Sequence, residues 1–426
     1  MSLELAGLNA VRRVVSGGVR VLVKETRVTP AVTIQLTTHV GCASDPPALP
    51  GLAYFLSRML DRGTESMTAG VIAETLEGRG VSLVTSLTRH TLSLVCTCLT
   101  EDFESVLRIM ADCLMHPVFP ELEITTRRGE MITFIRQDED SPASVATNGL
   151  MALLYGADHP YGRRPRGTVA AAEQIDRGAL VDFHARSVVP SSVVVSIVGD
   201  VEPEGAVESC EKVFADWRSR PESSPVRLQQ PAPAHERRVQ VVPMMNKAQT
   251  DIAYGFTSIR RSDPQYYACW LMNNVLGEYS LGGRLGDSIR ERQGMAYYAV
   301  SSLDANVIPG PLTIRVGVAA ANVERAIAAI DHEVRALATD GPTEKELLES
   351  KQYLIGSLPR TLETNASIGA FLQTIEFFDL GLDYDVSLPD LLRSVPRDDV
   401  HAAARRLLDP ALAAVVVAGP YNGTPA

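Results

Sequence analysis

Apolar and polar residues alternate with period two over residues 19–24 and 31–40, and β-branched side chains crowd both runs, which predicts two strands. A proline-rich loop follows, and residues 51–63 then read as a helix that ends at Gly63. Residues 68–78 read as a second, shorter helix closed by glycine. Residues 81–88 and 91–99 alternate again and predict a hairpin. Over 104–115, Val106, Leu107, Met110 and Leu114 fall on one face at helical spacing. Pro120 opens a further helix through Arg136. Residues 193–198 form a continuous apolar strand that ends at Gly199-Asp200.

The same order returns in the second half of the chain. Ser44-Asp45-Pro46 recurs as Ser262-Asp263-Pro264, Pro120 as Pro342, Pro190 as Pro410 and Gly199 as Gly419, at offsets of 218, 222, 220 and 220 residues. Near-constant offsets predict a duplicated domain. Asn322 is expected to cap a helix whose face carries Val323, Ala326, Ile327, Ile330, Val334 and Leu337. Thr343 and Glu346 have the spacing of a capping box for the next one. Residues 219–236 are rich in Pro, Ser, Gln and charge without periodicity, and read as a linker. The fold class expected is α+β. It comprises two homologous domains, residues 1–218 and 237–426, each a mostly antiparallel sheet backed by helices.

Composition narrows the function. The chain has 426 residues, 45% of them hydrophobic and 21% charged, which is ordinary for a globular protein. Its net charge of −11 argues against nucleic acid or an anionic membrane surface as the main partner. No run approaches the ~20 apolar residues that span a bilayer. Residues 1–15 carry Glu4 and two arginines and no long apolar segment, so a cytoplasmic location is expected, with the periplasm open if a signal was removed. Six cysteines, Cys42, Cys96, Cys98, Cys113, Cys210 and Cys269, are scattered. Cys96 and Cys98 share one strand face and are expected to be buried thiols, since no second cluster completes a metal site. None of the eight histidines has another at i+3, i+4 or i+5.

The helix at residues 51–64 reads Gly51-Leu52-Ala53-Tyr54-Phe55-Leu56-Ser57-Arg58-Met59-Leu60-Asp61-Arg62-Gly63-Thr64. It resembles the metal helix of the pitrilysin/insulinase-like (M16) zinc peptidases, the inverzincins, whose pattern is roughly G-x-A-H-x-x-E-H-M-x-F-x-G-T. In that family two His at i and i+4 hold Zn²⁺ and the neighbouring Glu is the general base. The frame is kept here in Gly51, Ala53, Met59, Gly63 and Thr64, but the His positions hold Tyr54 and Arg58 and the base position Ser57. The segment Glu139-Asp140-Ser141-Pro142 resembles the one that follows the family's third ligand, a Glu, and puts Phe134 at that position. Arg and Phe cannot coordinate zinc, and a permanently charged guanidinium repels it. The resemblance therefore implies no metal in this chain.

A second stretch reads Gly282-Gly283-Arg284-Leu285-Gly286-Asp287-Ser288-Ile289-Arg290-Glu291-Arg292-Gln293-Gly294-Met295-Ala296-Tyr297. Its residues predict a glycine turn, a short helix and a strand starting near Tyr297, and by themselves fit a surface Arg and a half-buried Tyr. The stretch is similar to the family's R-x-x-x-G-L-A-Y segment. There Arg and Tyr, here Arg290 and Tyr297, reach the zinc site from the opposite domain, bond substrate carbonyls and help hold the oxyanion. Residues 277–283 sit where the non-catalytic subunit of mitochondrial processing peptidase has its glycine-rich substrate loop, in a shorter and less glycine-rich version. Gly282 and Gly283 are the candidate substrate-binding residues.

The resemblance spans residues 19–419. It implies an inverzincin-like half-clamshell that serves as the non-catalytic subunit of a two-chain zinc peptidase. Arg290 and Tyr297 would complete the site of a zinc-bearing M16-like partner, zinc being the partner's cofactor. A scaffold subunit of the same fold, like the core proteins of the respiratory cytochrome bc1 complex, is the alternative. An enzyme with a relocated metal has no supporting motif: G-x-S-x-G, H-E-x-x-H and a phosphate-binding glycine loop are all lacking.

Overall fold

The structure, a computed structural model, describes residues 7–217, 228–278 and 282–423. Residues 219–227 of the expected linker, 279–281 of the glycine stretch and the first six residues lie outside the described residues.

The first half runs β1 (Val11–Val14), β2 (Arg20–Glu25), β3 (Ala31–Thr38), α1 (Leu52–Ser57), α2 (Ala69–Glu77), β4 (Val84–Leu87), β5 (Leu92–Leu99), α3 (Phe103–Met115), α4 (Glu121–Asp140), α5 (Pro142–Tyr155), α6 (Val169–Gln174), α7 (Arg177–Ser187), β6 (Val193–Gly199) and α8 (Pro203–Phe214). The second half runs β7 (Arg238–Pro243), β8 (Thr250–Thr257), α9 (Tyr266–Asn273), β9 (Ala296–Leu303), β10 (Pro311–Val318), α10 (Val323–Asp340), α11 (Glu344–Thr361), α12 (Asn365–Phe377), α13 (Tyr384–Ser394), α14 (Arg397–Leu407) and β11 (Ala414–Gly419).

Two sheets result, ordered β1-β2-β6-β3-β5-β4 and β7-β11-β8-β10-β9. Among the described residues, β2–β6 and β7–β11 pair in parallel and the other neighbours are antiparallel. Without β1 the second order repeats the first, strand for strand. The landmarks match in conformation as well. Gly199 and Gly419 end equivalent strands at φ +147° and +143°. A Cβ on Gly419 would lie 2.7 Å from the carbonyl oxygen of Gln249, and one on Gly199 would strike that of Ala31. Only glycine fits both conditions. The fold is α+β, with each mostly antiparallel sheet backed by helices.

The compact units do not follow the halves of the sequence. One comprises residues 1–135, 164–227 and 358–386, the other 136–163, 228–357 and 387–426. The first sheet is thus covered by α12. There the Gln373 amide donates to the carbonyls of Gln35 and Val194 at 3.2 and 3.1 Å, and the Ser196 hydroxyl to that of Gly369 at 3.3 Å. The second sheet is covered by α5, where Arg238 donates to the Leu153 carbonyl. A Cβ on Gly149 of this helix would lie 3.1 Å from Val416. Each repeat lends a helix to the sheet of the other. The core of the first unit gathers Val21, Ile34, Leu36 and Leu94 of its sheet with Phe55, Leu107 and Phe214 of its helices.

Several expectations are met. The short helix α2 is closed by Gly78, and Thr343 and Glu346 bond reciprocally as a capping box. All six cysteines are buried as thiols, and burial pushes those of Cys96 and Cys98 up to about 12 and about 11.

Others are corrected. The motif helix stops at Ser57, not Gly63. The Ser57 hydroxyl occupies the Tyr54 carbonyl at 2.7 Å, and the amides of Arg58 and Met59 bond three residues back. The chain therefore leaves the α-helix in tighter turns. Asn322 precedes α10 without a side-chain cap, since its Oδ1 faces the Arg325 guanidinium at 3.4 Å. Strand β1, exposed on most of its length, is an addition. Among the described residues no helix is long and apolar enough to cross a membrane.

Candidate functional site

The frame around α1 is used for folding. Asp45 accepts hydrogen bonds from the amides of Gly51 and Ala53, both at 2.7 Å, and so satisfies two amides at the start of the helix. Gly51 has φ +96°, and a Cβ there would lie 2.6 Å from the carbonyl oxygen of Arg166. Met59 is fully buried, Gly63 has φ +131°, and the Thr64 hydroxyl accepts from the Met67 amide at 3.0 Å. These residues shape the turn whatever the neighbouring side chains do chemically.

Within this frame, Tyr54 and Arg58 stand one turn apart at the end of α1, and Ser57 between them is buried. The Arg58 guanidinium makes no hydrogen bond or ion pair among the described residues. Phe134, on α4, is 38% exposed. A residue from neither motif joins them. The Arg166 guanidinium lies 5.5 Å from the centre of the Tyr54 ring and 5.6 Å from that of Phe134, so both rings turn a face toward one cation. Sequence reasoning missed Arg166, and the one hint was the arginine-rich run 163–166 on an acidic chain. A phenol, two guanidiniums and a phenyl ring do not form a zinc site. Among the described residues, no group of three or more His, Cys, Asp or Glu could share a metal ion.

In the second unit, the expected short helix forms over Gly286–Arg292, wound in the wider π form. Ile289 is fully buried within it and its carbonyl accepts from the Met295 amide at 3.1 Å, while the Arg290 carbonyl accepts from Gly294 at 3.1 Å. These bonds hold Arg290 close to the start of β9. Its side chain is half-exposed and, among the described residues, pairs with the neighbouring Glu291 at 3.6 Å. Tyr297 lies on β9, an edge strand. The register pairs Gly317 with Tyr298 and Val318 with Ala296, so Tyr297 is the extra residue of a β-bulge. Its side chain is 83% exposed, not half-buried.

Gly283 is buried and Gly282 exposed. A Cβ on Gly283 would come within 2.8 Å of the Gly277 Cα, so the two ends of the glycine stretch touch through bare backbone. Arg284 fixes the next position by donating two hydrogen bonds to the Glu346 carboxylate at 2.7 and 2.9 Å and a third to the Gly341 carbonyl at 3.0 Å.

Comparison with known proteins identifies the repeated fold as peptidase-like. Residues 20–163 match the family model for insulinase (peptidase family M16), and residues 174–354 the one for the peptidase M16 inactive domain. Together these cover well over half of the chain, which belongs to peptidase family M16. It is 26% identical over 420 residues to an uncharacterized zinc protease of Mycobacterium leprae, covering 96% of this chain and 92% of that one. A second such protease, from Bacillus subtilis, is 26% identical over 353 residues, 82% of this chain and 84% of the relative. A crystal structure of a peptidase M16 inactive domain from Pseudomonas fluorescens superposes with a TM-score of 0.90 at 27% identity, covering 98% and 100% of the two chains. A protease from Helicobacter pylori shares the fold at 16% identity and a TM-score of 0.88, covering 97% and 99%.

Proposed function

We propose that this chain is the non-catalytic subunit of a two-chain zinc peptidase, lending Arg290 and Tyr297 to the site of a zinc-bearing M16-like partner. The observation that carries the reading is Tyr297: a phenol on a bulged edge strand, exposed and without a hydrogen-bond partner among the described residues, close in the chain to a half-exposed guanidinium. Both groups are preformed donors. Tyr297 donates its hydroxyl hydrogen and Arg290 its N–H groups to a peptide carbonyl, and both bonds strengthen as that oxygen gains negative charge during attack. The open side of β9 suits strand addition, in which an extended peptide pairs with the edge backbone. Gly282 and Gly283 would let the same peptide approach bare backbone.

The test is to mix the chain with its zinc-bearing partner and follow peptide hydrolysis. Tyr297→Phe and Arg290→Ala are each expected to lower turnover roughly 10²- to 10³-fold. Unchanged turnover in both variants removes the role. Stable assembly with no cleavage in any mixture selects the scaffold reading instead.

A further inference from the structure

The place where the family's ligand positions meet holds a cation that belongs to the chain itself. Arg166 faces both Tyr54 and Phe134, at 5.5 and 5.6 Å from their ring centres. The backbone is shaped to bring it there. Gly167, at φ +69°, has no side chain where a Cβ would strike the Pro50 carbonyl, and Gly51, at φ +96°, leaves room for the carbonyl of Arg166. The same Gly51 site is bounded by Met131 of α4, whose Cε would be 2.7 Å from a Cβ there. Beyond the loop, Thr168 caps α6, and Arg128 of α4 ties that helix down by bonds to the carbonyls of Ala172 and Ile175 at 3.2 and 2.7 Å. The loop is thus anchored on both sides, with two glycines at the contact. The aromatic residues at the ligand positions present negative ring faces, which suit a large, weakly hydrated guanidinium and not a small dication.

We infer that Arg166 is the resident cation of this site. Its guanidinium takes the place a metal would share, links α1 to α4 through the Tyr54 and Phe134 rings, and keeps metal out even when ligands are supplied. This rests on the chain having no metal of its own, but it is read on the isolated chain, so failure of the partner assay leaves it untouched.

The experiment restores three ligands with Tyr54→His, Arg58→His and Phe134→Glu, and measures zinc in the purified, folded chain. With Arg166 retained, zinc is expected to stay below roughly 0.1 per chain; adding Arg166→Ala is expected to raise it to about one. Stoichiometric zinc in the triple variant overturns the inference, as does a folded quadruple variant that binds none. If the ligand variants do not fold, a double-mutant cycle of Arg166→Met and Phe134→Leu, followed by urea unfolding, still decides. The two changes together are expected to depart from additivity by roughly two- to tenfold in the unfolding constant. Strict additivity overturns the link.

Discussion

Tyr298 lies across Gly317 and donates its hydroxyl hydrogen to the buried carboxylate of Asp251, two strands away in the second sheet. Burial, together with that carboxylate, raises the Tyr298 phenol above its usual range, so it stays protonated and keeps donating. The bond pins β9 directly beside its bulge. Tyr298→Phe is expected to cost about 1–3 kcal/mol in urea unfolding by depriving Asp251 of a donor. In the partner assay it should also lower turnover although Tyr297 is intact; full activity would mean that the aim of Tyr297 does not depend on its neighbour.

Replacing Gly51 or Gly167 with Ala is expected to destabilise the chain by at least about 2 kcal/mol each, because both φ angles are positive and both Cβ positions meet backbone. Gly129 on α4 has open space around its Cβ and serves as the control. Gly129→Ala should stabilise by roughly 0.5–1 kcal/mol. Equal urea midpoints for all three variants would contradict the close approach at α1.

Arg284→Met is expected to cost roughly 3 kcal/mol by leaving the half-buried Glu346 carboxylate without its fork. Burial alone would push Glu346 up, but the bonds from Arg284 and Thr343 outweigh it and hold the carboxyl below its usual range. A depressed folded pKa gives stability that is present above the unfolded value and lost as pH falls. Glu346→Gln should therefore flatten the acid limb of a stability–pH curve, and an unchanged limb would show that the pair contributes nothing.

His39 predicts a second acid effect. Burial first, then the charge of Arg20 and the nearby His90, bring its pKa down to about 4, with Glu376 opposing. The ring packs edge-on against Phe377 at 5.0 Å. The unfolded chain takes up this proton near pH 6.5 and the folded one only near 4, so stability should fall as pH drops between those values, by at most about 3 kcal/mol. His39→Gln should remove that slope. Retention of the full slope would assign it to other groups, among them Glu376, which Arg12 and Arg20 hold below its usual range.

Elements with a strong period were legible from the chain alone. The alternation at β3 and the apolar stripe of α3 are local signals, and the landmarks at Gly199 and Gly419 mark backbone conformations that glycine must supply. The early end of α1 was not legible. It depends on one Ser57 hydroxyl competing for a carbonyl, which a pattern of apolar positions does not record. Arg166 was hidden for a different reason: a cation over two rings needs no spacing in sequence, only loops that carry it there. The bulge at Tyr297 depends likewise on the register with β10, a pairing no single strand encodes.

The reciprocal placement of α5 and α12 has a consequence for how the gene product can be divided. A break introduced between the repeats would release two fragments, each missing the cover of its own sheet and carrying one meant for the other. Neither should be obtainable as a soluble piece by itself, while co-expression should restore the whole by complementation, making that junction a natural split point for a conditional version of the protein.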